Sequence, residues 1–225
     1  MTLSEDNVRF YGNLGIPDRL MREGERASFE KGAVIIGEDE PFEFAYCVLS
    51  GTVCGLISEP NGDKVIMAII EAGGAFGESD IFLGYSRISA GFVAESDVEL
   101  LAIPRQSLID YMNDHEIALY FARNLSRKFL STARMYVDAV EGSALRRVCG
   151  AFLDFDLRYG VDRDGIRVIE AKIGQQYVAD YLGVSRLTVN KCPRRLREAK
   201  LIRKLDDAYW IPDKKALTSA MKLME

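Results

Sequence analysis

Histidine, tryptophan and cysteine are scarce in this chain, and their scarcity limits the chemistry it can perform. The 225 residues include one histidine, His115, and one tryptophan. The cysteines, Cys47, Cys54, Cys149 and Cys192, are widely separated, and no two of them form a CxxC pair. Zinc and iron–sulfur sites need closely spaced Cys and His ligands, so neither kind of site is expected. We expect four reduced thiols and no bound metal.

Long uninterrupted apolar segments are also missing. Charged residues break every apolar run well before the roughly 18 residues that a membrane-spanning helix requires. Residues 1–10 contain Glu5 and Asp6 and lack the basic and apolar regions of a secretory signal. The hydrophobic fraction of 48% and the charged fraction of 28% are close to those of soluble globular proteins. The sequence therefore predicts a cytoplasmic protein with no membrane partner.

Motifs that indicate catalysis are absent as well. The chain has no phosphate-binding Walker loop, no cluster of metal ligands, and no nucleophile spaced for activation by its single histidine. The sequence therefore predicts a protein that is not an enzyme.

Charge is distributed unevenly along the chain. Residues 1–143 hold 12 Lys and Arg against 23 Asp and Glu, whereas residues 144–225 hold 17 against 11. An acidic region is thus joined to a basic one, which favours a polyanionic partner for the C-terminal region only. A solvated basic surface with no partner is the alternative.

Short β-branched and aromatic runs separated by glycine-rich turns occupy residues 25–103. They are Ala33–Ile36, Phe44–Leu49, Thr52–Ile57, Lys64–Ile70 and Glu99–Ile103. Asn61-Gly62 is the strongest turn signal, because both residue types tolerate the positive φ of a tight hairpin. Regularly spaced runs of this kind predict an antiparallel β-roll of the jelly-roll type.

A possible thiol pair depends on the turn at Ser50-Gly51. If these residues form a two-residue hairpin, Cys47 and Cys54 face each other with Cα atoms about 5.5 Å apart, which is within disulfide range. Reduced thiols, the usual cytosolic state, are the alternative.

Residues 116–140 have a different period. Their seam residues recur at alternating spacings of four and three, and no glycine occurs between Gly91 and Gly142. This pattern predicts one amphipathic helix of about seven turns, whose narrow seam suits a partner helix. The seam residues are Ala118, Ala122, Leu125, Phe129, Thr132, Tyr136 and Ala139. Packing of the seam against the roll of the same chain is the alternative, and Gly142-Ser143 is predicted to form a hinge.

The basic region begins with a predicted helix, Leu145–Tyr159, followed by a loop over Gly160–Gly165 and a strand over Ile166–Ile169. Two helices, Gln175–Leu182 and Arg186–Leu196, then follow in close succession. Their spacing is that of a helix-turn-helix.

The turn between these helices has suitable residues. Gly183 can adopt the left-handed conformation, and Ser185 can cap the second helix. An ordinary corner between two helices is the alternative. Residues 201–205 and 209–211 flank Asp206-Asp207-Ala208 as a predicted hairpin, which extends the motif to a winged helix.

The order of a β-roll, a long helix and a winged helix resembles the Crp/Fnr family of transcription regulators over nearly the whole chain. The matching segments are Gly73-Gly74-Ala75-Phe76-Gly77-Glu78, Ser89-Ala90 and residues 173–202. The resemblance implies an α+β chain with a sensing roll at residues 1–115, a dimerisation helix and hinge at 116–142, and a DNA-binding domain at 143–225. It also implies a homodimer on palindromic double-stranded DNA, with RNA polymerase as a further partner.

The resemblance places an effector pocket between the roll and the long helix. In cyclic-AMP sensors of the family a Gly-Glu pair binds the ribose and an Arg-Ser pair binds the phosphate. Here Ile88 stands at the arginine position, so the phosphate loses its bidentate cation and cAMP is disfavoured. The pocket residues implied are Gly77, Glu78, Ile88, Ser89, Ala90, Phe129 and Thr132.

Within this set, Ile88, Ala90, Phe129 and Thr132 are mainly apolar with one hydroxyl, which favours a small apolar or aromatic acid as the effector. The alternative is that these residues fill the core of the roll. No cofactor is assigned beyond this unidentified small molecule.

The second helix of the motif is predicted to contact DNA. Base readout is assigned to Arg186, Leu187, Asn190 and Lys191. Phosphate contact is assigned to Lys172, Ser185, Thr188, Arg194, Arg195, Arg197 and Lys204. Solvent exposure without DNA contact is the alternative for Arg194 and Arg195.

Pro193 conflicts with this helix because proline removes a backbone donor and crowds the preceding turn. We therefore expect the helix to bend after Lys191 or to end early. If either change disables base recognition, the chain would be a signalling or scaffold module with the same fold.

Overall fold

The computed structural model describes residues 10–60, 62, 64–141, 143–170, 173–205 and 208–223. The chain divides into two compact units, residues 1–134 and residues 135–225. Asn61 and Gly142, assigned above to a turn and a hinge, lie outside the described residues, as do Asp206 and Asp207. In the part of the chain described, no helix has both the length and the apolar composition of a membrane span.

The N-terminal unit is a β-roll followed by a long helix. Its strands are β1 (Phe10–Tyr11), β2 (Glu25–Phe29), β3 (Val34–Ile36), β4 (Phe44–Ser50), β5 (Thr52–Ser58), β6 (Lys64–Glu71), β7 (Ala75–Phe76), β8 (Gly91–Ala94) and β9 (Val98–Pro104). Its helices are α1 (Asp18–Glu23), α2 (Glu78–Phe82), α3 (Arg105–Tyr111) and α4 (His115–Glu141). The last continues beyond residue 134.

Two sheets enclose the core of the roll. One has the strand order β1-β6-β5-β8-β3 and the other β2-β9-β4-β7. Pairing is antiparallel except between β1 and β6. Apolar residues of both sheets, including Val53, Phe76 and Leu100, form one buried cluster. The predicted antiparallel roll is therefore confirmed.

The predicted hairpin at Ser50-Gly51 is wrong. Strand β4 pairs with β9 and β7, whereas β5 pairs with β6 and β8, so Cys47 and Cys54 lie on different sheets. Gly51, with φ of 80°, directs the chain from one sheet to the other. A Cβ atom there would come within 2.2 Å of the Asp97 carbonyl oxygen, so the crossing requires glycine. Both cysteines are buried, and neither is part of a disulfide.

The long helix α4 packs on the roll with a face other than the predicted seam. Ile117, Tyr120 and Phe121 join the core of the roll, and Asn124 and Ser131 are buried on the same side. The seam residues from Ala118 to Ala139 are partly or fully exposed. The alternative that the seam packs against the roll of its own chain is therefore wrong.

The C-terminal unit is a winged helix-turn-helix. Its elements after α4 are α5 (Ala144–Tyr159), β10 (Gly160–Arg163), β11 (Ile166–Ile169), α6 (Gln175–Leu182), α7 (Arg186–Glu198), β12 (Arg203–Leu205), β13 (Ala208–Ile211) and α8 (Lys214–Leu223). The four strands form an antiparallel sheet of order β10-β11-β13-β12. Residues predicted as a loop after α5 are thus partly a strand. Ser143 begins α5, since its hydroxyl accepts a hydrogen bond from the Arg146 N–H at 3.3 Å.

Helix α7 continues through Pro193 to Glu198, so the expectation that it ends early is wrong. The buried side of α7 holds Val189, Cys192 and Leu196, and Pro193 is buried as well. Burial of this apolar side offsets the backbone hydrogen bond that proline removes.

Candidate DNA-binding and effector sites

The turn between α6 and α7 has the geometry that the sequence predicted. Gly183 adopts the left-handed conformation, with φ of 59° and ψ of 48°. The N–H of Val184 donates to the Ala179 carbonyl at 3.1 Å, and the Val189 N–H donates to the Ser185 carbonyl at 3.2 Å. The first bond closes the end of α6, and the second forms the first turn of α7. Because Val189 and Leu196 are fully buried, the orientation of α7 is fixed by the core of this unit.

The outward side of α7 is cationic around one exposed leucine. Arg186, Lys191, Arg194 and Arg195 are exposed, and Leu187 is 75% exposed. Arg197 is exposed as well. Most of the side chains assigned to DNA contact on α7 therefore share the solvent-facing side. The side chains of Thr188 and Asn190 lie outside what the structure describes, although both residues belong to the helix.

A groove runs beside this face. It is lined by Ala144, Leu187, Lys191, Cys192 and Arg195. The lining combines an apolar side chain with two cations, a composition suited to the edge of a nucleic acid.

The remaining phosphate candidates differ in their surroundings. Arg194 forms an exposed ion pair with Glu198 at 2.9 Å, which is weak enough in water to exchange for a phosphate. Lys204 on β12 is exposed, and its ammonium lies 5.7 Å from the centre of the Tyr209 ring. Ser185 is exposed at the start of α7. Lys172 lies outside the described residues.

A buried carboxylate that the sequence analysis missed joins three elements of this unit. Asp156 of α5 is fully buried and pairs with Arg167 of β11 at 2.7 Å and with Lys214 of α8 at 2.8 Å. Arg167 also donates to the Gly160 carbonyl at 2.8 Å. These two ion pairs link α5 to β11 and to α8.

In the N-terminal unit, the Gly-Glu pair of the expected effector pocket is positioned by a tight turn. Gly77 has φ of 82° and precedes α2. Glu78 follows and is fully buried, and its Oε1 atom forms an ion pair with the ammonium of Lys128 on α4. The Lys128 ammonium also lies 5.9 Å from the centre of the Tyr11 ring. Burial, followed by the charge of Glu78, raises the pKa of Tyr11 far above its ordinary value.

The Ile-Ser-Ala segment of the same pocket alternates between core and solvent. Ile88 and Ala90 belong to the buried cluster of the roll, and Ser89 is exposed. The Ser89 N–H donates to Oδ1 of Asp80 at 3.1 Å, and Asp80 itself is almost fully buried. Ile88 and Ala90 therefore fill the core of the roll, which was the alternative to a role in an effector pocket.

Phe129 and Thr132 do not join this set within one chain. Phe129 is 72% exposed and Thr132 is exposed. The helix turns Lys128 and Ser131 toward the roll instead, because these neighbours continue the 3.6-residue spacing of Tyr120, Phe121 and Asn124. The apolar residues Ile117, Tyr120 and Phe121 were the signal in the sequence for which side of α4 faces the roll.

Further contacts hold α4 to the roll around this pair. Asn124 accepts a hydrogen bond from the Ala75 N–H at 3.2 Å, and the Tyr120 hydroxyl donates to the Gly73 carbonyl at 3.1 Å. Burial raises the pKa of the nearby Cys47 thiol to about 12. That thiol is thus protonated and unreactive at neutral pH.

Comparison with known proteins identifies a domain of known type in each part of the chain. A cyclic nucleotide-binding domain model matches residues 26–115, and a Crp-like helix-turn-helix domain model matches residues 146–220. The chain is 27% identical over 173 residues to a CRP-like cAMP-activated global transcriptional regulator of Mycobacterium tuberculosis, covering 76% of this chain and 77% of the relative. It is 28% identical over 180 residues to a global nitrogen regulator of Nostoc sp., covering 78% and 79%.

A solved structure gives the same result. The fold matches the crystal structure of a CRP/FNR-family transcriptional regulator from Thermus thermophilus with a TM-score of 0.74 and 25% identity, covering 88% of this chain and 98% of that chain. The protein is a transcription regulator built from a cyclic-nucleotide-binding-like roll and a helix-turn-helix. The chain belongs to the Crp/Fnr family, as its sequence predicted.

Proposed function

We propose that this regulator acts in the cytoplasm as a homodimer on a palindromic DNA operator, under the control of a small molecule other than cAMP. Residues 1–115 form its sensing region, 116–142 its dimerisation helix and hinge, and 143–225 its DNA-binding domain. RNA polymerase is its further partner at a promoter, and it catalyses no reaction.

The observation that carries the DNA-binding proposal is the outward face of α7. Arg186 and Lys191 are exposed and suit guanine edges, and the exposed Leu187 suits a thymine methyl group. Asn190 suits adenine. An exposed leucine among cations has little structural use in a monomer, but it gains a contact in a major groove.

The phosphate contacts belong to the surrounding cations and hydroxyls. Arg195, Arg197 and Lys204 are exposed on α7 and β12, and they supply affinity and salt dependence rather than sequence choice. Arg194 serves the same purpose after releasing Glu198. The same role is proposed for Lys172, Ser185 and Thr188.

Support for the homodimer comes from the uncovered side of α4. Phe129 and Tyr136 are 72% and 71% exposed, and they stand seven residues apart in the seam. A repeat of this kind favours pairing with a second helix of the same sequence. A dimer would present two copies of α7, and two copies related by a twofold axis require a palindromic operator.

The proposal against cAMP is supported by the roll. Ile88 is buried in the core where the family's cyclic-AMP sensors have an arginine, and Glu78 is already paired with Lys128. Neither group is free to bind a cyclic phosphate or a ribose.

Fluorescence anisotropy with a labelled duplex tests DNA recognition. We expect Lys191→Ala to weaken binding to a selected operator by about tenfold, because a base contact contributes roughly 1–3 kcal/mol. Lys215→Ala, which removes an exposed lysine from α8, is the matched control and should change affinity by less than about twofold. Equal losses in both variants would favour non-specific electrostatic binding and the scaffold alternative.

Sedimentation velocity tests the dimer. Phe129→Glu should convert the dimer to a monomer, because it places a charge in the apolar seam. Leu83→Glu is the matched control, since Leu83 is 65% exposed on the roll and lies outside the seam. A monomeric wild-type protein, or dissociation by both variants alike, would contradict the proposed interface.

A further inference from the structure

We use the name roll–helix site for the side chains of Glu78, Asp80, Lys128 and Ser131, where α4 packs on the roll. Its balance of charge is unusual. Glu78 and Asp80, two residues apart on α2, are both buried, with exposed fractions of 0% and 5%. The ammonium of Lys128, whose side chain is 19% exposed, forms an ion pair with Glu78. An incoming anion would therefore meet two buried carboxylates and one ammonium.

The groups that recognise an anion are also occupied or absent. The Ser89 N–H already donates to the Asp80 carboxylate at 3.1 Å. Ile88 is 1% exposed and contributes an aliphatic side chain to the core. Arg87 is exposed, and its guanidinium donates to the Asp39 carbonyl. The chain's own Asp80 thus takes the backbone donor that an anionic ligand would need.

Acceptors for a cation remain available. Among the described residues, the Oε2 atom of Glu78 and the Oγ atom of Ser131 are buried without a hydrogen-bond partner. Ser131 is 1% exposed and lies one helical turn beyond Lys128 on the same side of α4. An ammonium group has three donors, so this site has more acceptors than the ion pair between Glu78 and Lys128 uses.

We propose that the roll–helix site is a cation site, which the chain closes with the Lys128 ammonium as an internal ligand, and in which a small primary amine, but not an anion, replaces that ammonium once the lysine side chain is removed. Because Lys128 belongs to α4 and Glu78 to α2, the pair holds the long helix on the roll without a bound small molecule. The regulatory part of this inference is that the pair between Glu78 and Lys128 keeps the protein able to bind its operator without a small molecule. That part rests on the proposed DNA-binding function, whereas the cation site itself does not.

Chemical rescue of Lys128→Ala in the full chain tests the site. Removal of the lysine leaves the Glu78 carboxylate buried without its partner, and we expect the Tm to fall by roughly 5–10 °C. Propylamine, which is protonated at neutral pH and replaces most of the deleted side chain, should restore at least half of that loss at about 20 mM. Potassium acetate at the same ionic strength should restore none of it.

Two variants serve as controls. Arg123→Ala removes an exposed cation from the same helix and should leave the Tm within about 1 °C of wild type. The double variant Glu78→Gln/Lys128→Ala should not respond to propylamine, because the carboxylate that attracts the amine is gone. Rescue of the double variant, rescue by acetate, or stabilisation of the wild-type protein by cAMP would each overturn the proposal.

The DNA-binding assay separates this inference from the proposed function. We expect the wild-type protein to bind its operator without an added small molecule, and Lys128→Ala to lose affinity that propylamine restores. If amine rescue of the Tm succeeds but no operator is bound under any condition, the proposed function fails and the cation site stands. If operator binding is normal and unaffected by Lys128→Ala, the regulatory part is refuted.

Discussion

Two neighbouring apolar residues of α7 should respond in opposite ways to truncation. Val189 is fully buried and Leu187 is 75% exposed, although they are two residues apart on one helix. Val189→Ala removes two buried methyl groups, at about 0.8 kcal/mol each, and adds a cavity. We expect it to lower the free energy of unfolding by about 2 kcal/mol.

Leu187→Ala should leave stability within about 0.5 kcal/mol of wild type, because most of its surface is already in water. It should instead weaken operator binding by about fivefold to tenfold, since the contact with a thymine methyl group is lost. Urea unfolding followed by far-UV circular dichroism measures the first quantity, and fluorescence anisotropy at about 0.15 M salt measures the second.

The pair of variants tests which side of α7 faces DNA. A loss of about 2 kcal/mol in Leu187→Ala would mean that this residue belongs to the core. Unchanged operator binding by Leu187→Ala would refute the assignment of Leu187 to base contact.

The remaining predictions concern buried groups. Asp156→Asn should lower the free energy of unfolding of its unit by about 2–3 kcal/mol, because two cations lose their buried partner. Glu198→Gln, in an exposed ion pair, should have almost no effect, and urea titration of both variants measures the difference. Pro193→Ala should raise stability by about 1 kcal/mol, because the carbonyl four residues earlier gains its helical hydrogen bond; a loss would show that the proline ring is needed for packing. In the folded protein at about pH 8, Ellman's reagent should react with none of the four buried thiols within minutes, and with all of them after denaturation. Burial raises the pKa of Cys47 from 9.0 to about 12, so the folded state retains a proton there that the unfolded state loses. Stability should therefore fall more steeply between these pH values in wild type than in Cys47→Ala.

The helical parts of the fold followed from local signals. Gly183 marked the turn of the helix-turn-helix because only a few residues favour its left-handed conformation, and the structure has that conformation there. The limits of α4, His115–Glu141, followed from a glycine-free segment with helical spacing. Both features depend on residues close together in sequence.

The errors concern contacts between distant residues. A turn at Ser50-Gly51 is compatible with a hairpin, but the chain crosses there between two sheets, and the sequence does not state which strands will pair. The ion pair between Glu78 and Lys128 joins residues 50 positions apart, so neither local spacing nor the family resemblance pointed to it. On α4, the expected pocket residues Phe129 and Thr132 each lie one position after a residue that faces the roll. The sequence did not separate the two sides of the helix, because the seam and the roll-facing side both have helical periodicity.

The central claim is that the protein recognises a palindromic DNA sequence as a dimer. Selection from random duplexes by the purified full chain at about 0.15 M salt, followed by sequencing, tests this claim directly because that ionic strength suppresses non-specific binding. We predict an enriched palindrome whose half-sites are centred about 10 base pairs apart or a multiple of that spacing. Recovery of no enriched sequence by a folded, dimeric protein would contradict the claim.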